Sequence, residues 1–198
     1  MNLKRRFIEV QKCPAVSDVD LPLEIKLRIA KICLTLRQRR TKFGLFVILG
    51  WKKKWNKYAV SPDISQDIFL RHHTNIMTPG IRPAASQDKN RDITKTINFD
   101  GAILIDESGD ILHSGTMIEN LRPKKVAQKI NPQKSSTDLS TQFGFKQKVH
   151  MRHLSAITSS YIFKGTTVFT VSEETGHFPI FENGKILYST ILQEQELD

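Results

Sequence analysis

The stretch that most constrains this chain is Asn98-Phe99-Asp100-Gly101-Ala102-Ile103-Leu104-Ile105-Asp106. Ala102 to Ile105 is an unbroken apolar run, stopped by Asp106-Glu107-Ser108-Gly109-Asp110. It reads as a buried strand entering a tight turn. A carboxylate at the mouth of such a strand must be solvated, hydrogen-bonded or metal-bound, because an isolated buried charge is costly. Gly101 carries no side chain, so a ligand can approach the backbone closely there. The plainer alternative is that Asp100 caps the preceding loop and Gly101 makes a turn. The stretch by itself leaves both open.

Composition sets the limits around it. With 198 residues and 39% hydrophobic content, the chain can build one globular domain with a real core. The longest apolar run, Phe43 to Trp51, has nine residues including two glycines, far too few to span a bilayer. Met1-Asn2-Leu3-Lys4-Arg5-Arg6 is followed by no uninterrupted apolar segment and no small-residue cleavage site, so it does not read as a secretory signal. Cys13 and Cys33 stand apart with no metal-ligand spacing, which fits reduced thiols and a cytoplasmic protein. The net charge of +10 is concentrated at one end: residues 1–60 carry 15 Lys+Arg against 4 Asp+Glu, and the rest carry 15 against 16. A basic third of this kind attracts nucleic acid, anionic lipid or polyphosphate ligands, or serves only as a solvated face.

Along the chain, residues 1–19 read as a basic tail and 20–41 as an amphipathic helix. Asp20 is placed to cap it, with Pro22 and Glu24 in the first turn. Leu23, Leu27, Ala30 and Leu34 recur at helical spacing, and Ile25, Ile29, Ile32 and Leu36 widen the apolar face. Residues 42–192 form the main domain and 193–198 a C-terminal tail. Gly44 to Gly50 reads as a buried strand, and Trp51-Lys52-Lys53-Lys54-Trp55 as a turn, a solvated hairpin tip whose tryptophans and lysines also have the ingredients for single-stranded nucleic acid. Tyr58 to Val60 is a short returning strand, and Ile64 to Ile76 a short helix. Adjacent His72 and His73 point apart on a helix and suit no shared metal. Ile111 to Gly115 is the hairpin partner of the 102–105 strand. Residues 123–130 read as helical, and 131–142 as a polar loop. His150 and His153, three apart in the 147–158 segment, form a weak metal pair with no carboxylate nearby in sequence. Thr166 to Val171 has strand composition. Phe178–Phe181 and Lys185–Tyr188 flank Asn183-Gly184, a strong two-residue hairpin signal.

Three polar clusters stand at strand ends or a helix start: Asp100-Gly101-Ala102, Arg152-His153 and Val171-Ser172-Glu173-Glu174-Thr175-Gly176. In this order, with an Asn-Gly hairpin after the third, they resemble the diadenylate cyclase domain family, the catalytic domain of bacterial and archaeal proteins that make cyclic di-AMP. The resemblance covers roughly residues 30–190 and is densest from 97 onward. It departs from the family at the second motif: Met151 stands where a threonine is expected, Leu154 where a second arginine is expected, and no carboxylate follows in Thr158-Ser159-Ser160.

The resemblance implies a single α/β domain with a central mixed β-sheet flanked by helices. It implies a nucleotidyltransferase that condenses two ATP into the second messenger cyclic di-AMP, between two subunits of a homo-oligomer facing each other. Asp100, Gly101, Ala102, Arg152 and His153 would be the catalytic group. Gly101, Met117, Arg152, Ser172, Glu173 and Thr175 would bind nucleotide. Asp100, His153, Glu173 and Glu174 would hold Mn²⁺ or Mg²⁺. Losing an arginine from a triphosphate site removes a charge-assisted contact, so Met151 and Leu154 motivate an alternative, a nucleotide-binding sensor without turnover. The basic N-terminal third motivates a less favoured one, a nucleic-acid-binding module.

Overall fold

The computed structural model describes residues 3–5, 8, 20–39, 43–60, 67, 74–78, 101–134 and 136–191. In chain order its elements are α1 (Leu23–Arg39), β1 (Leu45–Leu49), a 3-10 helix (Lys53–Tyr58), β2 (Ala59–Val60), β3 (Thr74–Asn75), β4 (Ala102–Ile105) and β5 (Asp110–Ile118). There follow α2 (Pro123–Ile130), α3 (Leu139–Gln142), α4 (Met151–Ile162), β6 (Thr167–Val171), β7 (Pro179–Glu182) and β8 (Lys185–Ser189). The strands join one sheet in the order β2-β5-β4-β1-β6-β7-β8, with β3 also on β5. β1 runs parallel to β4 and antiparallel to β6. The result is the mixed α/β sheet with flanking helices that the sequence implies.

Strict alternation along the central strands divides the core into two layers. Leu45, Val47 and Leu49 of β1, with Ile103, Ile105, Phe169 and Val171, face α1. Phe46 and Ile48, with Ala102, Leu104, Val168 and Phe181, face α2 and α4 through Val126, Ala127, Leu154 and Ile157. All five residues of β1 are therefore buried, which is why the run between Gly44 and Gly50 carries no polar residue. The face α1 turns to the sheet is Ile25, Ile29, Ala30, Ile32, Cys33 and Leu36, so Ala30 of the expected stripe is in it, whereas Leu23, Leu27 and Leu34 are only partly covered. The residues expected to widen the stripe are its centre.

The Asn183-Gly184 turn has φ of 49° and 77° at its two central residues, the two left-handed positions that let a two-residue loop follow the strand twist. Several local expectations are corrected. Trp51 to Trp55 is not an exposed turn: the 3-10 helix buries both indoles against Phe163, with ring centroids at 4.9 and 5.3 Å, and Trp51 donates its indole N–H to Asn56 Oδ1. The helix expected over 64–76 is overridden where it is described, since Thr74–Asn75 is a strand on β5 and Ile76 turns after it. A short helix, α3, interrupts the loop at 131–142, started by Asp138 accepting from the Ser140 amide. His72 and His73 lie outside the described residues.

Candidate functional site

The site grows from one end of the sheet, where the start of β1, the start of β4 and the end of β6 meet. Leu45 stands opposite Val171. Val47 stands opposite Ile103 in the parallel pair, so two residues back Gly101 lies beside Leu45. Three strand ends thus present Gly101, Gly44 and Ser172 to the same region. The helix α4 begins there too, with Arg152 and His153 in its first turn.

Gly101 has φ +126°, and a Cβ built on it meets the backbone of Gly115 and Thr116 at 2.5–2.8 Å. Its missing side chain is required by β5. Asp100, the residue bonded to it, lies outside the described residues. Ala102 is fully buried in the α4-facing layer. Met117, on β5 opposite Val60, is exposed at the same end of the sheet, since Thr116 pairs with Ala102.

Arg152 lays its guanidinium over Gly44: a Cβ placed on Gly44 would stand 2.3 Å from Nη1, 2.6 Å from Cζ and 2.7 Å from Nη2. His153 is buried, and its Nε2 lies 3.2 Å from Nδ1 of His177 with the two rings stacked at 5.1 Å. His177 Nε2 lies 2.9 Å from Ser189 Oγ. One proton is shared across each of these contacts, so the tautomers of the two rings are set together.

The turn after β6 closes on itself. Ser172 Oγ accepts from the Thr175 amide, its carbonyl accepts from the Gly176 amide, and its own amide donates to the His177 carbonyl. Glu173, Glu174 and Thr175 are exposed on it. Glu174 reaches His150, Oε2 to Nε2 at 2.9 Å. Since α4 starts at Met151, His150 is its N-cap rather than a helical neighbour of His153. The two histidines pair with Glu174 and His177 separately, and the weak metal pair they formed in sequence is not assembled.

Between these groups lies a cleft of about 250 Å³, lined by Lys146, Lys148, His150, His153, Ser172, Thr175 and His177 among others. Two lysines, hydroxyl donors and the start of a helix suit an anion. His153, Ser172 and Thr175 therefore meet around one cleft, while Arg152 lies beside it over Gly44, with Gly101 at the same sheet end. Met151 is 66% exposed, whereas Leu154 is buried in the aromatic layer beneath α4. Among the described residues no three His, Cys, Asp or Glu side chains are grouped to hold a metal ion, and no helix is long and apolar enough to cross a membrane.

His177 was not singled out by its pattern. Its only local mark is its place between the Glu-Glu-Thr-Gly turn and the apolar Phe178 to Phe181 run. Asp67 is a second such residue: buried and distant from the cleft in sequence, it accepts from Ser114 N and Oγ and contacts His113 Nδ1 at 2.9 Å.

No family model matches the sequence, and no curated protein does. Among solved structures the chain is similar to a hypothetical membrane spanning protein from Bacillus cereus, at 18% identity and a TM-score of 0.47, covering 84% of this chain and 63% of that one. It is also similar to a double mutant of DacA from Staphylococcus aureus, at 15% identity and a TM-score of 0.46, covering 86% of this chain and 89% of the other. The chain spans under two thirds of the first of these. At those scores the likeness assigns no function.

Proposed function

We propose that this protein is a nucleotidyltransferase of the diadenylate cyclase kind, condensing two ATP into cyclic di-AMP and two pyrophosphates. The observation that supports the reading is that His153 and the Ser172–Gly176 turn border one lysine-lined cleft, with Arg152 over Gly44 at the same sheet end as Gly101. Support comes from residues of the second and third clusters, which border the cleft although 18 residues lie between His153 and Ser172.

The chemistry asks for little covalent participation by the protein. Each 3′-oxygen forms a bond to the α-phosphorus of the other ATP, the bond from that phosphorus to the β-bridging oxygen breaks, and pyrophosphate leaves. Positioning and charge stabilisation supply most of the acceleration. Asp100 takes the 3′-hydroxyl proton. Arg152, Lys146 and Lys148 engage phosphate oxygens, and Ser172 and Thr175 donate hydrogen bonds to them. Met117, exposed at the same sheet end, would contact the base or ribose.

Mg²⁺ or Mn²⁺ would neutralise phosphate charge. His153 Nε2 is engaged by His177 and Glu174 by His150. The ion would therefore rest on Asp100 or Glu173 with the nucleotide's own oxygens, the sparse carboxylate ligation usual for Mg²⁺ at phosphates. Two subunits face each other, each with one ATP.

The alternative reading, a nucleotide sensor without turnover, draws on Leu154. A side chain 5% exposed in an apolar layer leaves no second arginine for the triphosphate. The test is to compare the wild type with Asp100→Asn in ATP and Mn²⁺. Cyclic di-AMP from the wild type alone supports the enzyme; tight ATP binding without product supports the sensor. The nucleic-acid alternative loses its aromatic half, since Trp51 and Trp55 are buried.

A further inference from the structure

We infer that Gly44 is the seat of Arg152: its missing side chain leaves the guanidinium the space at the start of β1 that a Cβ would fill, and this fixes where the arginine meets nucleotide. The inference rests on the reading of Arg152 as a phosphate contact and adds a positioning residue to it.

The distances from a Gly44 Cβ to Nη1, Cζ and Nη2, 2.3, 2.6 and 2.7 Å, show that the end of the guanidinium fills the space a Gly44 side chain would take. A planar fork held in one place is what paired contacts to phosphate oxygens require. Arg152 enters from the first turn of α4, while Gly44 directly precedes Leu45, whose carbonyl accepts from Thr170 Oγ1 and whose residue pairs with Val171. The floor under the arginine is thus a strand held on its β6 side.

What makes Gly44 informative is the nature of the obstacle. Gly44 is not among the glycines with left-handed φ, so alanine is compatible with its backbone. The three atoms nearest its Cβ all belong to the tip of Arg152. A methyl group there meets first the end of a flexible side chain. Gly101 is the opposite case, with strained φ and rigid backbone in the way.

The experiment uses the full chain as Gly44→Ala, Arg152→Ala and the double variant. Three quantities are read: the ¹⁵Nε–¹Hε resonance of Arg152, urea stability, and ATP binding by calorimetry in Mg²⁺. In Gly44→Ala the Arg152 resonance should move while the protein stays folded. ATP affinity should fall by about 10–100-fold, the equivalent of one charge-assisted contact. In the Arg152→Ala background the alanine should cost nothing further in stability or affinity. An unmoved resonance, or an equal loss from Gly44→Ala in both backgrounds, overturns the inference. If Gly44→Ala fails to fold, the double variant must fold again, and its failure to do so is equally fatal. Should the wild type not bind ATP at all, the nucleotide reading falls, while the resonance and the stability cycle still decide whether Gly44 seats Arg152.

Discussion

Lys26 of α1 and Glu182 of β7 form an ion pair at 2.9 Å with side chains 1% and 4% exposed. Thr167 of β6 donates its hydroxyl to the same Glu182 oxygen at 2.5 Å. The pair clamps α1 to the sheet at the end away from the cleft: Thr167 begins the strand that Val171 ends, about 13 Å apart at the usual rise per residue. Removing one partner leaves the other buried charge without its ion pair, which costs about 3–5 kcal/mol. At roughly 2–4 °C per kcal/mol for a chain of this size, Lys26→Met or Glu182→Gln should each lower Tm by about 6–20 °C. The double variant removes both charges and leaves a neutral amide oxygen for Thr167, so it should recover to within about 1 kcal/mol of the wild type. The assay is urea unfolding followed by tryptophan fluorescence, since Trp51 and Trp55 are both buried and report loss of the core. ATP affinity per folded molecule should be unchanged throughout. Single losses below about 1 kcal/mol, or losses that simply add in the double variant, would show that the pair is not a desolvated clamp.

Further outcomes follow from other sites. Gly101→Ala forces a Cβ into the Gly115–Thr116 backbone at a left-handed φ and should cost at least about 2 kcal/mol in chemical denaturation, far more than Gly44→Ala. His177→Ala removes the partner shared by His153 and Ser189; stability should drop by about 1–3 kcal/mol, and ¹⁵N spectra of His153 should change tautomer. Burial pushes the Cys33 thiol up from 9.0 to about 12. Its neutral form is thus favoured by folding: that contribution is complete below the unfolded value and is lost as pH rises from about 9 towards 12. A Cys13→Ser protein should resist thiol reagents at pH 8 until denaturant is added.

How much of this was legible in sequence follows from the range of each interaction. β1, β4, β6 and the Asn183-Gly184 hairpin are written in local apolar runs and turn residues, and each is found where the pattern places it. The 3-10 helix at Lys53–Tyr58 was not: lysines interrupting tryptophans look solvated until Phe163, over a hundred residues away, covers the rings. The 147–158 segment was legible as two histidines three apart but not as a helix start, since Gln147 to Val149 lead into the N-cap of α4 at His150. Arg152, His153 and Ser172 were legible only as family motifs. Gly44 and His177 were not legible as site residues, since a glycine's use as a floor and a histidine's pairing with another 24 residues away leave no periodicity to read. Asp100 was read first and lies outside the described residues.

The measurement that bears most directly on the account is product identification by mass after incubating the protein with ATP and Mn²⁺ over a range of protein concentrations. The account predicts cyclic di-AMP and two equivalents of pyrophosphate, with a rate that rises more steeply than protein concentration as subunits pair. ATP recovered unchanged from a folded protein that binds it, at every concentration, would contradict it.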